Sequence, residues 1–264
     1  MSDNRYYLAG VGRALRFLEL IGDHENGLTL KQATDRLGLD TTSAFRLART
    51  LETDGYLQRD EHGVYKLGSA ALNLGVAYLD SLDLRRTSLP RLGALLEPPV
   101  DFASLAALSG RRAVIIERLE RQAAAAIPGH AGWSFSLHST SLGKALLAYL
   151  PVETAHEWLT SMPLPKLTPA TLTTPDELQE ELARIRADGC AYNIGESRPN
   201  ALAVAAPVFN HLGHVVAAIN ASGYAPELTE DALRGPIRQK VLDAAAALSR
   251  DLGYRNSGMT TVGR

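Results

Sequence analysis

A short turn between two helical segments near the N-terminus constrains the fold of this chain more than any other feature. Apolar residues recur at helical spacing over residues 30–37, and Thr29 or its neighbour can cap that helix. Gly38 can end the helix with a left-handed turn. A further helix begins directly after Asp40, which can cap it. Two helices joined so closely form a helix-turn-helix.

The flanking segments complete a small domain. Val11, Leu15, Leu18 and Ile21 recur at helical spacing and predict a preceding helix that ends near residue 22. Residues 56–60 and 64–67 alternate like two short strands, with a turn between them. Three helices followed by a hairpin are typical of a winged helix-turn-helix, whose third helix can enter the major groove of DNA.

Polar and basic side chains on this unit are suited to DNA contact. The first residues of the third helix can face base edges, and arginine can bind guanine or phosphate. The hairpin can contact the backbone. The candidate DNA-binding residues are Thr41, Thr42, Ser43, Arg46, Arg49, Arg59 and Lys66. Residues 1–80 nevertheless hold nine Lys and Arg against eleven Asp and Glu, so a protein-interaction module stays an alternative.

The double proline at 98–99 separates this domain from a larger one. We expect a DNA-binding domain over residues 1–80, a linker helix within 81–97, a second domain over 98–254 and a flexible tail over 255–264. Within the second domain, helix and strand patterns interleave without a regular βαβ period. This favours a sheet flanked by helices (α+β) over a doubly wound parallel sheet. The candidate strands are residues 104–108, 113–119, 123–127, 203–209 and 214–221, and the candidate helices are 141–150, 152–161, 175–188 and 230–252.

Composition excludes several classes of protein. The formal net charge is −2, which points to neither a strongly basic nor a strongly acidic partner. The apolar runs fall short of the ~18 residues of a membrane helix, and no signal peptide is visible. Because Cys190 is the single cysteine, no intramolecular disulfide or cysteine-cluster metal site can form, and we expect a cytoplasmic protein without a cofactor.

Enzymatic motifs are incomplete. Gly143 and Lys144 suggest a phosphate loop, but that loop needs a glycine where His138 stands and a hydroxyl residue where Ala145 stands. A Gly-x-Ser-x-Gly elbow is missing as well. We therefore expect no enzyme. An enzyme with a helix-turn-helix appendage stays an alternative that a turnover assay would test.

Several motifs in the same order resemble the IclR family of transcriptional regulators, over about residues 8–254. They are residues 12–18 (GRALRFL), 27–30 (GLTL), 37–39 (LGL), 45–51 (FRLARTL), 55–57 (GYL), 65–68 (YKLG), 138–148 (HSTSLGKALLA), 189–191 (GCA), 204–209 (VAAPVF), 213–216 (GHVV) and 222–223 (SG). The resemblance implies a ligand-controlled repressor or activator with a GAF-like mixed α/β effector-binding domain. It also implies dimers, or tetramers built from dimers, that bind palindromic or pseudo-palindromic operator DNA.

The resemblance also implies an effector pocket. Its positions are Ser141 and Gly143 at a helix start, Asn193, Ala203, Asn220 and Ser222. Ala203 departs from the family's thiol, Asn220 from its serine, and Gly195 and Asn200 from its acid and glycine.

The resemblance implies a small organic or aromatic carboxylic acid as the effector, and a helix start favours such an anion. Arg198 is a possible charge partner for such an anion. If Trp133 and Phe135 wall the pocket, an aromatic or hydrophobic acid is favoured over a two- or three-carbon acid. The alternative is that Asn193, Asn220 and Ser222 are strand-end polar groups satisfied within the protein.

Overall fold

The computed structural model describes residues 6–80, 83–121 and 129–255. Contacts within the chain divide it into two units, Met1–Ser81 and Leu82–Arg264. In the described ranges, no helix has the length and apolar character needed to cross a membrane.

The first unit is a winged helix-turn-helix. Its elements are α1 (Ala9–Gly22), β1 (Leu28–Thr29), α2 (Leu30–Leu37), α3 (Thr41–Thr53), β2 (Leu57–Arg59), β3 (Val64–Leu67) and α4 (Ser69–Asp80). β3 pairs antiparallel with both β1 and β2. The sequence predicted the three helices and the hairpin. It missed β1, which has only two residues, and α4.

The caps predicted for the helix-turn-helix are confirmed. The Thr29 hydroxyl accepts from the backbone N–H of Gln32, whose side chain accepts from the Thr29 backbone N–H in return. Gly38 ends α2 at a φ of 61°, in the left-handed region that favours glycine. The Asp40 carboxylate accepts from the Ser43 backbone N–H at 2.8 Å, and hydrogen bonding to Ser43 lowers the pKa of Asp40. The turn between α2 and α3 is therefore fixed by local chemistry.

Phe45 does not belong to the buried side of α3. Ala44, Ala48 and Leu51 face the core, together with Phe17 and Ile21 of α1. Phe45 is 48% exposed. Each residue turns a helix by about 100°, so a residue next to Ala44 points away from the core that Ala44 and Ala48 contact.

The second unit is a six-stranded antiparallel sheet with helices packed on it. Its elements are α5 (Asp83–Leu95), β4 (Phe102–Ser109), β5 (Arg112–Glu120), β6 (Ser134–Phe135), α6 (Ser141–Ala148), α7 (Val152–Ser161), α8 (Pro175–Asp188), β7 (Ala191–Ile194), β8 (Ala201–Phe209), β9 (Val215–Tyr224), α9 (Glu230–Ala232) and α10 (Arg238–Asp251). The strand order is β6-β5-β4-β9-β8-β7. The predicted sheet flanked by helices is confirmed.

Most of the predicted elements of this unit are present. The short edge strands β6 and β7 were missed, and the predicted strand 123–127 lies outside the described residues. The helix expected as a separate linker is α5, and it packs within the second unit against α10, β4 and β5, with Leu92 and Leu95 buried.

The single helix expected over residues 230–252 is interrupted. A π-helical turn over Leu233–Ile237 joins α9 to α10, and Gly235 has non-helical angles of φ −94° and ψ −110°. Pro236 lacks the backbone N–H that a continuous helix requires at that position. The prediction of one continuous helix was wrong because it followed the spacing of apolar residues on both sides of Gly235 and Pro236 and ignored this pair.

Burial in the second unit explains how its central elements are held. The strands β4, β8 and β9 are buried along most of their length, which requires cover on both faces of the sheet. All eight residues of α6 are buried. The first turn of α6 therefore packs inside the fold, against the strands.

Candidate functional sites

The outer face of α3 carries the side chains suited to DNA. Thr41, Thr42, Arg46 and Arg49 are exposed there, whereas Ser43 is half-buried against the rest of the unit. The guanidinium of Arg49 contacts Glu52 at 2.9 Å. Two hydroxyls and two guanidinium groups thus lie on one surface of a helix whose start is fixed by the Asp40 cap.

The hairpin places two further predicted residues at the surface. Arg59 on β2 and Lys66 on β3 are exposed. The Arg59 guanidinium lies 5.7 Å from the ring centre of Tyr65. The Asp60 carboxylate accepts from the backbone N–H groups of Val64 and His62, which forms the turn and lowers the pKa of Asp60.

A third basic residue near α3 was missed from the sequence. Arg13 of α1 lines a cleft of about 330 Å³ together with Ser43, Arg46 and Thr50 of α3. Its Nε donates to the Ala9 carbonyl at 3.2 Å. Helical spacing alone could not reveal that Arg13 faces α3, since this depends on how the two helices cross.

A cavity of about 110 Å³ lies in the second unit beside the start of α6. Five of the six predicted effector positions line it. They are Ser141, Asn193, Ala203, Asn220 and Ser222. Antiparallel pairing explains their proximity, because Ala203 pairs with both Asn193 and Ser222, and Asn220 pairs with Ser104.

Gly143 lies outside the lining of this cavity. A Cβ at this glycine would come within 2.6 Å of the Leu137 Cα and 2.8 Å of the Ser136 carbonyl oxygen. Its N–H donates to the Thr140 hydroxyl at 3.1 Å, which caps α6. Only glycine allows the backbone of Ser136 and Leu137 to approach α6 this closely. The Gly143 N–H already has Thr140 as its hydrogen-bond acceptor.

Two backbone donors remain at the start of α6. The N–H groups of Ser141 and Leu142 occupy the first two helical positions, which have no intrahelical acceptor. Both residues line the cavity. Since a helix start carries partial positive charge, this end of the cavity favours an anion.

The three predicted polar residues differ in how far they are satisfied. The Asn193 amide donates to Ser197 Oγ at 2.6 Å, and its Oδ1 accepts from the Glu196 N–H at 2.8 Å. Asn193 therefore shapes the loop after β7, as the alternative of a satisfied strand-end residue requires.

Asn220 and Ser222 keep groups toward the cavity. The Asn220 Oδ1 accepts from the Ser104 N–H at 3.0 Å, and within the described residues its Nδ2 makes no hydrogen bond. The Ser222 hydroxyl reaches the Phe102 carbonyl only at 3.4 Å. Both side chains can thus donate to a ligand.

Two arginines contribute positive charge to the same cavity. Arg198, a possible charge partner from the sequence, lines it, and so does Arg118, which the sequence analysis missed. Burial lowers the pKa of Arg118, and the neighbouring Arg198 adds to this effect while Glu120 opposes it. The sequence held no clear signal for Arg118, because four of the nine residues of β5 are charged and only the fold shows which of them lines the cavity. The described lining residues include no carboxylate.

Aromatic side chains form part of the wall. Phe102, Phe135 and Tyr224 line the cavity, and the rings of Phe102 and Tyr224 meet edge to face at 6.4 Å. The Arg118 guanidinium lies 4.0 Å from the Phe102 ring centre. Trp133 is outside the lining; its ring instead meets His130 at 5.5 Å and packs on the core.

Comparison with models of known protein families identifies the family of the two units that carry these sites. Residues 10–61 match the model of the IclR helix-turn-helix domain, and residues 76–250 match that of the bacterial transcriptional regulator IclR C-terminal domain. The protein belongs to the IclR family. It is a helix-turn-helix transcriptional regulator with a mixed α/β effector-binding domain, as the motifs predicted.

Individual relatives span most of this IclR-family regulator. The HTH-type transcriptional regulator XynR of Escherichia coli is 32% identical over 94% of this chain and 98% of its own length. The p-hydroxybenzoate hydroxylase transcriptional activator of Acinetobacter baylyi is 31% identical over 81% of this chain and 80% of its own.

A solved structure agrees with these relatives. An IclR homologue from Microbacterium hydrocarbonoxydans, crystallised in complex with 4-hydroxybenzoate, is 26% identical with a TM-score of 0.76. The match covers 92% of this chain and 99% of that one.

The IclR-family protein also contains a buried ion cluster beneath α6 that the sequence did not predict. Lys144, 1% exposed, donates to Glu196 at 2.7 Å and to Glu181 at 2.9 Å. Burial raises the pKa of Glu196 despite the neighbouring ammonium. Burial alone would also raise the pKa of Glu181, but Lys144 and Arg184 lower it. Lys144 is thus occupied by carboxylates on the second unit's own helices and loops.

Proposed function

We propose that this regulator senses a small single-ring aromatic carboxylic acid and changes its DNA affinity in response. The observation that carries the proposal is the charge of the cavity. Arg118, Arg198 and the first turn of α6 supply positive charge, and the described lining contains no acidic residue. A carboxylate entering this cavity finds donors that compensate the loss of its hydration.

The walls of the cavity support an aromatic ring. Phe102, Phe135 and Tyr224 can pack against a ring. A structural relative binds 4-hydroxybenzoate and another relative activates a p-hydroxybenzoate hydroxylase gene, which is consistent with the same ligand class here.

Calorimetric titration tests this proposal. We expect 4-hydroxybenzoate or benzoate to bind with higher affinity than pyruvate, because only the aromatic acids occupy both the cationic end and the aromatic wall. Arg198→Gln should weaken binding of the aromatic acids. Arg112→Gln is the matched control, since Arg112 bonds Ser134 outside the cavity. Tight binding of pyruvate without binding of either aromatic acid would contradict the proposal.

We propose that the same chain senses this ligand without converting it. Catalysis requires an acid–base or nucleophilic group positioned on the substrate, and the groups that the described lining offers are mainly donors. Recovery of unchanged ligand after prolonged incubation, checked by chromatography, supports a sensor. Product formation would favour the enzyme alternative.

DNA contact is proposed for α3 and the hairpin. Thr41, Thr42 and Arg46 would face base edges, Ser43 would support the helix start, and Arg49, Arg59 and Lys66 would contact phosphates. Their exposure supports this assignment, except for the half-buried Ser43. Two such helices reach two half-sites only in a dimer, which agrees with the palindromic or pseudo-palindromic operators we propose.

A second copy of the chain is the proposed cover for apolar side chains exposed in the first unit. Val11 and Leu15 on α1 and Leu72, Leu74 and Tyr78 on α4 are all exposed. Their exposure is unfavourable in a monomer. Sedimentation analysis should show a dimer, or a tetramer of two dimers, that Leu72→Glu weakens. An unchanged monomer in both proteins would contradict this assembly.

We propose residues 1–80 as the DNA-binding domain, 81–97 as the linker and 98–254 as the effector-binding domain. The proposed location is the cytoplasm, where a regulator meets operator DNA. The effector changes DNA affinity only if it prefers one arrangement of the protein, and the coupling is reciprocal. A coupling of ~1–3 kcal/mol changes operator affinity by roughly 5–150-fold.

A further inference from the structure

Phe45 is the large apolar side chain that α3 exposes. It is 48% exposed, whereas Ala44, Ala48 and Leu51 on the inner side of α3 are buried. An exposed phenylalanine gains little from the core, and phenylalanine is a weaker helix former than alanine. Folding of the first unit therefore does not explain this residue.

The neighbours of Phe45 identify its surroundings. Thr41 and Arg49 lie four residues before and after it, so all three share one row along α3. Arg46 follows directly and is exposed as well. The ring thus lies in the middle of a polar and cationic surface, with hydroxyls toward the start of the helix and guanidinium groups beyond.

This composition points to DNA rather than to a protein partner. A protein interface concentrates apolar residues at its centre and depletes charge there. Around Phe45 the exposed residues of α3 are threonines and arginines, which suit base edges and phosphates. The apolar group that the major groove presents is the C5-methyl of thymine, and phenylalanine is one of the side chains that contact it.

We infer that Phe45 reads a thymine methyl group in each operator half-site. This inference rests on the proposed reading of DNA by α3. It extends that proposal, because the methyl contact distinguishes thymine from cytosine without a hydrogen bond. Removal of one buried methyl group costs about 0.8 kcal/mol, a roughly fourfold loss of affinity per half-site.

The experiment uses the full chain and a duplex that it selects from a random library. Each thymine of the half-site is replaced in turn by deoxyuridine, which removes only the methyl group. Fluorescence anisotropy at fixed salt then gives the dissociation constant. We expect one position at which the wild type binds deoxyuridine about fourfold more weakly per half-site, while Phe45→Ala binds both duplexes equally.

Leu212→Ala is the matched control, because it also shortens an apolar side chain that is exposed, at 64%, but on the second unit. It should retain the preference for thymine. Thermal unfolding checks that Phe45→Ala is folded, as its half-exposed position predicts.

Two outcomes would overturn the inference while leaving sequence-specific binding intact. Either no replacement by deoxyuridine weakens the wild type, or Phe45→Ala retains the full preference for thymine. If no sequence is enriched from the library, DNA reading by α3 itself fails, and the role of Phe45 fails with it.

Discussion

The Lys144 ammonium donates to both carboxylate oxygens of Glu196, at 2.7 and 2.9 Å, and both side chains are buried. Lys144 lies on α6, whose first turn borders the cavity of the second unit. Glu196 lies in the loop that also carries Ser197 and Arg198 of the cavity lining. The ion pair therefore holds two walls of the cavity in register. Thr168 and Thr171 add hydroxyl donors to the Glu196 carbonyl.

Replacement of Lys144 by methionine should destabilise the second unit strongly. Removal of one partner from a buried ion pair leaves uncompensated charge and costs about 3–5 kcal/mol. Here Glu181 and Glu196 would both lose their shared cation. Denaturant unfolding at neutral pH measures the loss. In the control, Lys240→Met breaks an exposed pair with Glu97 and should cost no more than about 1 kcal/mol.

The loss in Lys144→Met should shrink as the pH falls. Burial already raises the pKa of Glu196, and removal of the ammonium raises it further. The folded state then binds more protons than the unfolded state between this raised pKa and the ordinary glutamate value. Stability consequently increases as the pH decreases through that window. A deficit that is constant from neutral to mildly acidic pH would show that the carboxylates are not the cause.

Gly143→Ala should destabilise the protein, whereas Gly93→Ala should not. A Cβ at position 143 would meet backbone atoms of Leu137 and Ser136 at 2.6–2.8 Å, so the chain must shift at a cost of about 1–3 kcal/mol. Position 93 is an exposed site in α5 with open space, and alanine gains up to ~1 kcal/mol there. Thermal unfolding compares the two. Equal effects would contradict the packing role of Gly143.

Ser222→Val should abolish the ligand response and spare operator binding. The substitution removes a cavity hydroxyl whose bond to the Phe102 carbonyl is long, so folding should change little. Anisotropy with operator DNA, with and without 4-hydroxybenzoate, gives both quantities. Thr160→Val removes an exposed hydroxyl on α7 outside the cavity and should keep the response. An unfolded Ser222→Val protein would support a structural role for this serine instead.

Arg46→Ala should weaken operator binding by about 1–3 kcal/mol if Arg46 contacts a base bidentately. Competition with a scrambled duplex across salt concentrations separates the two roles of an arginine. A loss confined to the operator indicates base reading, whereas an equal loss on both duplexes, with a shallower salt dependence, assigns Arg46 to phosphate. Arg112→Ala on the second unit is the control and should leave both affinities unchanged.

The candidate site could be predicted only in part. Ser141, Asn193, Ala203, Asn220 and Ser222 came from motif resemblance, and all five line one cavity. The cavity position of Arg118 and the ion pairs of Lys144 were missed. The period of a strand or helix indicates which face a residue lies on, but not which charged groups from distant parts of the chain lie beside it.

The sequence by itself determined the local elements and the family of this protein. Capping residues, turn glycines and apolar periods act between residues close in the chain, so the helix-turn-helix, the hairpin and helices such as α7 and α8 follow from them. The tertiary structure alone decided which residues meet at a distance. Antiparallel pairing of β4, β8 and β9 brings Ser104, Ala203 and Asn220 to one cavity, and burial of α6 brings Lys144 to Glu196. Such contacts arise from non-local packing, which no local period encodes.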